Sequence, residues 1–306
     1  MIVLTVVATK GGVGKTTLAA NLAGLLRDLG SRVLLIDADV QPSLSKYFRH
    51  SQLAPNGLTK MVMTGFLSED CLSTVELPFG DFGPEKKYPV KPEIRLVCSD
   101  TREGNLQDWL AGRGDRLVRI AIPLRSPTVQ ERFDYVIIDT QGALGNLQDA
   151  AVNAADMLVS PATPDVLSAR EFIAGTSKLI DRVEQATNLG LRVPGMKAAI
   201  NKIEHTKDSR SMSELIRESF DELKGRVVVL NTVIPSIVAF KKAATQQIPV
   251  HWLNPKRAGD VMHQLLWELI PSLTGRYAPN HPKYGVALPE HEPCNDTSEP
   301  SSTTAK

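Results

Sequence analysis

The chain has 306 residues, of which 42% are hydrophobic and 23% charged, a composition that suits one large globular domain or two smaller ones. The formal net charge of +1 excludes attraction to nucleic acid by overall charge, so such binding would need a local basic patch. Widely spaced cysteines (Cys71, Cys98 and Cys294), no signal-peptide pattern and no apolar run near 18 residues exclude disulfide-framework, secreted and membrane-spanning classes, and predict a cytoplasmic protein that binds no membrane.

The first elements along the chain predict a βαβ unit. Residues 2–8 form a continuous apolar run typical of a strand buried on both faces, and a glycine-rich loop follows. Leucines 18, 22, 25, 26 and 29 then recur at helical spacing. Residues 32–36 form a second buried strand that ends at Asp37 and Asp39. Strand, helix and strand of this length predict a parallel pair joined by a right-handed crossover.

The same alternation of strands and helices continues through the second half of the chain. Helices are predicted over residues 168–186 and 211–223. The strands are predicted over residues 133–138 (ending at Asp139), 156–160 (stopped by Pro161), 195–200 (leading into Asn201) and 227–230, before the segment 232–235. This pattern predicts an α/β fold with a mostly parallel, twisted sheet flanked by helices and ligand groups at the carboxyl ends of its strands.

The glycine-rich loop has the sequence TKGGVGKTT and is compatible with two kinds of nucleotide site. A dinucleotide fingerprint starting at Gly12 would need glycine at position 17, where the chain has Thr17. A phosphate-binding loop fits better, because the glycines let backbone N–H groups surround phosphate oxygens, with Lys15 on the β- and γ-phosphates and the Thr16 hydroxyl on magnesium. The predicted nucleotide-binding residues are Gly11, Gly12, Val13, Gly14, Lys15, Thr16 and Thr17.

Acidic residues at two strand ends support the phosphate-loop prediction. Asp139 follows an apolar strand, which is the position of an aspartate that holds magnesium through water in such sites. Asp37 is a second candidate magnesium ligand. Asp37 and Asp39 occupy alternate positions, so both can project to one side, and Asp39 is the candidate that orients the attacking water. The open alternative is that they are solvated turn carboxylates.

The loop and its surroundings resemble one family. Lys10-Gly11-Gly12-Val13-Gly14-Lys15-Thr16 is similar to the deviant Walker A motif of the ParA/MinD superfamily of P-loop NTPases, and LLIDADVQPSLS resembles its second motif. The resemblance continues through VNAADMLVSPATPD, AAINKIE and TVIPSIVAFKKAATQQIPV, covers most of residues 1–270, and is strongest to ParA/Soj partitioning ATPases. It implies that Lys10 is a catalytic lysine that reaches across a dimer to the partner's ATP, and that Asn201 and Pro235 flank the adenine.

The resemblance further implies an ATP-dependent DNA-partitioning switch with ATP and Mg²⁺ as cofactors. The ATP-bound homodimer would bind DNA without sequence preference, associate with the nucleoid, and be reset by slow hydrolysis that a ParB-like protein stimulates. The chain starts directly on the first strand, so we expect the short, Soj-like kind. Candidate DNA-binding residues are Arg210, Arg217, Lys241 and Lys242, with Lys202, Lys207, Lys256 and Arg257 as further basic residues in the same half.

These motifs also set the predicted domain boundaries. Residues 1–276 are predicted to form the P-loop ATPase domain, with an irregular insertion carrying short helices at about 48–92. Residues 277–306 are rich in proline and poor in apolar residues, and are predicted to be a disordered tail.

Two departures from the family pattern and three alternative functions remain open. Val40 stands where the family has proline, and Gln141-Gly142 replaces Pro-Pro. Both segments belong to the family's switch regions, so whether hydrolysis is coupled to conformation as in the family is left open. A MinD-like regulator would need a C-terminal amphipathic helix, which the prolines of the tail disfavour. A nitrogenase-iron-protein-like reductase would need cluster cysteines. A metabolic synthetase of the superfamily would differ only in its substrate pocket.

Overall fold

The structure, a computed structural model, describes residues 1–77, 91–101, 104–188, 190–192, 194–221 and 225–284. Within these residues one sheet holds nine strands in the order β3-β4-β5-β2-β6-β1-β7-β8-β9. The strands are β1 (Ile2–Val6), β2 (Arg32–Ala38), β3 (His50–Gln52), β4 (Ser73–Val75), β5 (Glu93–Val97), β6 (Tyr135–Thr140), β7 (Met157–Ala162), β8 (Gly195–Ile203) and β9 (Val227–Pro235).

Helices connect these strands and cover both faces of the sheet. The α-helices are α1 (Lys15–Asp28), α2 (Leu58–Thr64), α3 (Asn105–Ala111), α4 (Ala121–Leu124), α5 (Pro127–Arg132), α6 (Asn146–Ala154), α7 (Val166–Thr187), α8 (Lys207–Asp221), α9 (Val238–Gln246), α10 (Val250–Leu253) and α11 (Arg257–Leu269). Short 3₁₀ turns lie at Glu69–Cys71, Arg116–Val118 and Pro271–Leu273. No helix in the described ranges is both long and apolar enough to cross a bilayer.

The strands from β5 to β9 form a parallel sheet, which confirms the predicted fold class. Successive side chains of each buried strand point to opposite faces of the sheet. In β2, Val33 and Leu35 join the core beneath α1, α10 and α11, whereas Leu34 and Ile36 join the core beneath α2 to α6. A strand buried on both faces carries apolar residues at consecutive positions, which explains the uninterrupted runs in the sequence.

The segment at 48–92 is more regular than predicted. It contains β3, α2 and β4, and the two strands extend the sheet antiparallel through β5. The sequence prediction also missed β5, because Glu93 and Arg95 alternate with apolar residues in a short run between prolines and polar residues. Residues 78–90 of the predicted insertion lie outside the described residues.

Several strand ends differ from the prediction for identifiable reasons. β1 ends at Val6 and not at residue 8, and β2 extends past Ile36 to include Asp37. β7 runs through Pro161, which had been expected to stop it. The backbone carbonyl of Val159 accepts a hydrogen bond from the Val7 N–H, so the backbone groups of Val159 point toward β1. The backbone nitrogen of Pro161, two residues later, points to the same side. The pairing with β1 has ended there, so the sheet needs no N–H donor at this position.

The C-terminal boundary predicted at residue 276 is wrong for the first eight residues of the tail. Ala278 is fully buried, and its N–H donates to His263 Nε2 on α11 at 2.9 Å. Tyr277 stacks on His281 with ring centroids 4.3 Å apart. Residues 277–284 therefore pack against the domain, and residues 285–306 lie outside the described residues.

Candidate nucleotide-binding site

The phosphate loop connects β1 to α1 at the carboxyl edge of the sheet. Gly12 and Gly14 have φ angles of 76° and 96°, in the left-handed region that favours glycine. A side chain at Gly14 would also collide with Asn201, since a Cβ there would lie 2.5 Å from Asn201 Nδ2. Helix α1 begins at Lys15, so its positive end faces this loop.

Lys15 lies inside the site. Its side chain is buried, and Nζ is 3.5 Å from the carbonyl oxygen of Lys10, to which it donates a weak hydrogen bond. Burial lowers the pKa of Lys15, while the carboxylates of Asp139 and Asp39 oppose this shift. The lysine thus faces two of the predicted acidic residues and can neutralise a bound anion.

Asp37 and Asp139 meet at neighbouring positions of β2 and β6, and both are fully buried. Thr16 Oγ1 donates to Asp139 Oδ2 at 2.6 Å, while the N–H and hydroxyl of Ser45 each donate to Asp37 Oδ2 at 2.7 Å. The other oxygen, Oδ1, of each carboxyl group is buried without a hydrogen-bond partner. Two such acceptors side by side form a site that favours a cation.

Burial dominates the electrostatics of this pair of carboxyl groups. It raises the pKa of Asp139 to about 8, and the nearby charge of Asp37 adds to the shift. It also raises the pKa of Asp37 to about 6, against the hydrogen bonds from Ser45. Both groups therefore hold protons at higher pH than a free aspartate does, as long as nothing positive enters the site.

Asp39 lies further out than Asp37 and has a different environment. It is half-buried, and its Oδ1 accepts the N–H of Gln41 at 2.9 Å, which closes a tight turn over Val40. Its backbone carbonyl accepts the Ser99 hydroxyl at 2.5 Å. These contacts hold the carboxylate at the mouth of the site, close enough to Lys15 to affect its pKa.

Lys10 lies on the outer side of the loop and contacts helix α7. Its Nζ is 2.7 Å from Glu171 Oε2. One turn along α7, Gly175 packs on Thr9 so closely that a Cβ would lie 1.9 Å from Thr9 Oγ1. The two lysines of the loop thus differ: Lys15 faces inward, whereas Lys10 is ion-paired at the surface of this single chain.

Two cavities flank the loop. One, of about 300 Å³, is lined by Thr17, Asn201, Pro235, Phe240 and Lys241, among others. The second, of about 630 Å³, borders Gly11, Gly12 and Val13 and carries the acidic residues Asp165, Glu204 and Asp208. Asn201 and Pro235 therefore line the same cavity beside Gly14, where a base could lie.

The segment Gln141-Gly142 touches the phosphate loop directly. A Cβ at Gly142 would lie 2.8 Å from the Gly11 nitrogen and 2.9 Å from its Cα. Buried Gln148 holds this segment, since its Nε2 donates to the carbonyl oxygens of Gln141 (3.2 Å) and Ala8 (3.3 Å). The departure from the family pattern thus places a glycine where no side chain fits.

Comparison with known proteins identifies the class of ATPase. The AAA_31 family (AAA domain) matches residues 1–193. The chain belongs to this family, within the ParA/MinD superfamily of P-loop ATPases. An uncharacterised protein of Mycobacterium tuberculosis is 30% identical over 84% of this chain and 74% of its own length. The chromosome partitioning protein ParA of Myxococcus xanthus is 27% identical over 91% of this chain and 89% of its own length.

A solved structure agrees with the fold of this ParA/MinD-type ATPase. The septum site-determining protein MinD of Pyrococcus horikoshii, complexed with Mg-ADP, superposes with a TM-score of 0.65. It is 17% identical and covers 89% of this chain and 97% of its own. At this identity the likeness concerns the fold.

The basic residues proposed for DNA binding do not form one cluster. Arg210 is exposed and Arg217 half-buried on α8, seven residues apart and hence on one face of the helix. Lys242 is exposed on α9, but its neighbour Lys241 lines the cavity next to Asn201 and Pro235. Lys202 donates to the carbonyl oxygen of Gly12 at 2.5 Å, so it lies at the phosphate loop.

Residues that the sequence did not single out complete the site of this ATPase. Ser45 holds Asp37, Glu171 holds Lys10, and Phe240 lines the base-sized cavity. Ser45 lies in the segment LLIDADVQPSLS that resembles the family's second motif, which was its only signal. Phe240 likewise lies in the family-like segment TVIPSIVAFKKAATQQIPV, whereas Glu171 carries no local pattern, because it contacts the site through the folding of a distant helix.

Proposed function

We propose that this P-loop ATPase is a DNA-partitioning switch. Two copies would close around two ATP molecules, bind DNA without sequence preference, and be reset by slow hydrolysis that a ParB-like protein stimulates. The observation that carries the proposal is the pair of lysines on one loop, with Lys15 inside the site and Lys10 on its outer surface. The partitioning function of the Myxococcus relative supports it. We expect the protein in the cytoplasm, on the nucleoid when ATP is bound.

Nucleotide binding is assigned to the phosphate loop and the smaller cavity. Backbone N–H groups of residues 11–17 would bind the phosphates together with the start of α1 and Lys15. Asn201 and Pro235 would contact the adenine, which fits a cavity of about 300 Å³ with apolar walls from Ile234, Ile237 and Phe240.

Magnesium fits the residues next to the phosphate loop. Among the described residues, no group of three or more His, Cys, Asp or Glu side chains is arranged to hold a metal ion alone. Magnesium, however, is usually held by one or two carboxylates together with substrate phosphates. Thr16, Asp37 and Asp139 would hold the ion, and the unpartnered buried oxygens of both aspartates fit a cation. When bound, magnesium would neutralise charge on the phosphates.

Hydrolysis is assigned to Asp39, with Lys10 acting across the dimer. The Asp39 carboxylate lies at the mouth of the site and keeps one oxygen beyond its bond to Gln41, so it can orient an attacking water. Lys10 would leave Glu171 and neutralise charge on the partner's ATP. No residue in this assignment is an arginine that completes the site in cis, which suits slow hydrolysis.

DNA binding as a function of nucleotide tests the proposed switch. The full-length protein would be titrated onto non-specific duplex DNA with ATP, ADP or no nucleotide at several salt concentrations. Binding should be strongest with ATP and should weaken steeply with salt, because each phosphate contact releases counterions. Equal binding in all three states would contradict the switch and favour a metabolic ATPase of the superfamily.

A further inference from the structure

The end of strand β8 is irregular at Lys202. The register between β8 and β9 shifts between Asn201 and Ile203, so Lys202 occupies a bulge. Its φ angle is 60°, and among the described residues only Gln247 shares a positive φ without being glycine. A lysine stays in this unfavourable conformation only where surrounding contacts hold it, and such positions concentrate at functional sites.

The bulge brings this strand end into contact with the phosphate loop. Lys202 Nζ donates to the carbonyl oxygen of Gly12 at 2.5 Å, and Asn201 Nδ2 donates to the carbonyl oxygen of Val13 at 2.7 Å. The bonded residues are 190 and 188 positions apart in sequence. Two consecutive peptide groups of the loop are therefore held from one strand end.

These two bonds determine the direction of two N–H donors. In a planar trans peptide the carbonyl and the following N–H point to opposite sides. The bond to Gly12 therefore directs the Val13 N–H away from Lys202, and the bond to Val13 directs the Gly14 N–H away from Asn201. Backbone N–H groups of such loops bind phosphate oxygens, and orienting them before the nucleotide arrives lowers the cost of binding.

Lys202 also lies between the two cavities of the site, because it lines both the 300 Å³ and the 630 Å³ cavity. Its Cε would be 3.8 Å from a Cβ built on Gly14, so the aliphatic part of the side chain runs along the loop. The ammonium group thus lies at the phosphate loop, where the two cavities adjoin.

We propose that Lys202 is a positioning residue that orients the phosphate loop for nucleotide binding. The inference rests on the proposed binding of ATP at this loop and assigns a role within it. The sequence alone had placed Lys202 among the basic residues that could contact DNA, whereas its bond to Gly12 ties it to the nucleotide.

The test compares variants of the full chain by calorimetric titration with ATP and with ADP in the presence of Mg²⁺. Lys202→Met removes the donor and keeps most of the side chain, and Lys202→Gly also relieves the backbone strain. Both should weaken ATP and ADP binding by about tenfold, the loss expected for one strong hydrogen bond. Lys202→Arg should retain most of the affinity, and Lys207→Met, at an exposed lysine that lines neither cavity, should bind as the wild type does.

Thermal stability separates positioning from a merely structural role. The nucleotide-free Lys202→Gly protein should melt at or above the wild-type Tm, because glycine accepts a positive φ. Wild-type nucleotide affinity in the methionine and glycine variants would overturn the inference and leave nucleotide binding by the protein intact. A lower Tm of nucleotide-free Lys202→Gly, in step with its affinity, would also overturn it. If the wild type binds neither nucleotide, the proposed function itself fails.

Discussion

At the scale of single residues, the carboxylates of the site divide by burial. Asp37 and Asp139 are fully buried and each keeps one unpartnered oxygen, whereas Asp39 is half-buried and held by a turn. Burial favours the neutral form of a carboxyl group, so the inner pair needs a cation to be charged. The outer one is the better candidate to interact with water.

Replacing Asp39 should separate binding from turnover. Asp39→Ala removes the carboxylate proposed to orient water but no proposed phosphate or metal ligand. We expect ATP affinity within about threefold of wild type and a hydrolysis rate reduced by roughly 100-fold, a typical loss for a catalytic acid or base. Lys15→Ala is the matched control, since it should abolish nucleotide binding. Turnover of Asp39→Ala at the wild-type rate would show that another group orients the water.

The buried carboxyl pair predicts a pH dependence of stability. The pKa of Asp139 is raised to about 8 in the folded state and that of Asp37 to about 6, both above the ordinary aspartate value of 3.8. Between pH 3.8 and about 8, the folded protein therefore binds more protons than the unfolded chain does. The stability that this contributes is fully present below pH 4 and is lost as pH rises through 8.

Asp139→Asn should remove most of this dependence, because asparagine does not titrate. Without metal or nucleotide, the variant should melt roughly 5 °C above wild type at pH 8.5 and close to it at pH 4.5. Thermal unfolding in the presence of a chelator measures both values. An equal difference at the two pH values would mean that packing, and not ionisation, separates the proteins.

At the scale of elements, helix α7 and the segment after β6 both contact the phosphate loop. Helix α7 contacts it through Glu171 and Gly175, and the segment after β6 contacts it through Gly142. Movement of either element would therefore move the loop. The Gln141-Gly142 departure from the family pattern is best understood here, because proline at 142 would need space that the Gly11 backbone occupies.

Gly142→Ala should weaken nucleotide binding. The added methyl carbon would lie 2.8 Å from the Gly11 nitrogen, so the loop or the segment must move. Overpacking of this kind costs about 1–3 kcal/mol, which predicts an ATP affinity lower by about tenfold or more. Gly114→Ala is the control, since no heavy atom lies within 4 Å of a Cβ there. Equal ATP affinities in the two variants would show that the segment carrying Gly142 can move without disturbing the phosphate loop.

Lys10→Ala should bind ATP as a monomer and fail to dimerise, because its proposed partner is the ATP of the other subunit. Size-exclusion chromatography with light scattering measures this on an Asp39→Ala background, in which ATP persists. Glu171→Ala is the informative companion, because it frees Lys10 from its contact in cis and should leave dimerisation intact or enhance it. A stable ATP-dependent dimer of Lys10→Ala would remove the basis for its action in trans.

At the scale of the whole molecule, DNA binding depends on where the charges lie, since the net charge is only +1. Lys202 and Lys241 line the cavity beside the glycine-rich loop, so of the four predicted DNA-binding residues Arg210 and Arg217 on α8 and Lys242 on α9 remain candidates. A two-fold dimer would double each contact, so a few exposed residues per subunit could suffice.

Arg210→Glu with Arg217→Glu should weaken DNA binding in the ATP state and leave ATP affinity unchanged. Each lost phosphate contact should reduce the slope of log affinity against log salt by about 0.9. A salt titration by fluorescence anisotropy measures the slope. Arg125→Glu is the control, an exposed arginine that follows α4 in the first half of the chain. An unchanged slope in the α8 variant would place the DNA contacts elsewhere.

Local sequence determined the site's central parts. The continuous apolar runs of β1, β2 and β6, the glycines before Lys15 and the aspartates at strand ends are neighbours in sequence, and each pattern lies within one element. Strand, loop and helix at this spacing predicted the parallel sheet, which the structure confirms.

Tertiary structure alone decided what surrounds those parts. Lys202 contacts Gly12 across 190 positions of sequence, and Glu171 on α7 contacts Lys10 at the other end of the same long stretch of chain. No local periodicity encodes such contacts. The short strand β4 pairs with the edge of β5, and β3 pairs in turn with β4, and their own residues do not signal these partners. The sequence therefore determined the strand, glycine-rich loop and helix that we propose bind phosphate, whereas packing over long sequence separations decided how the loop is held and oriented.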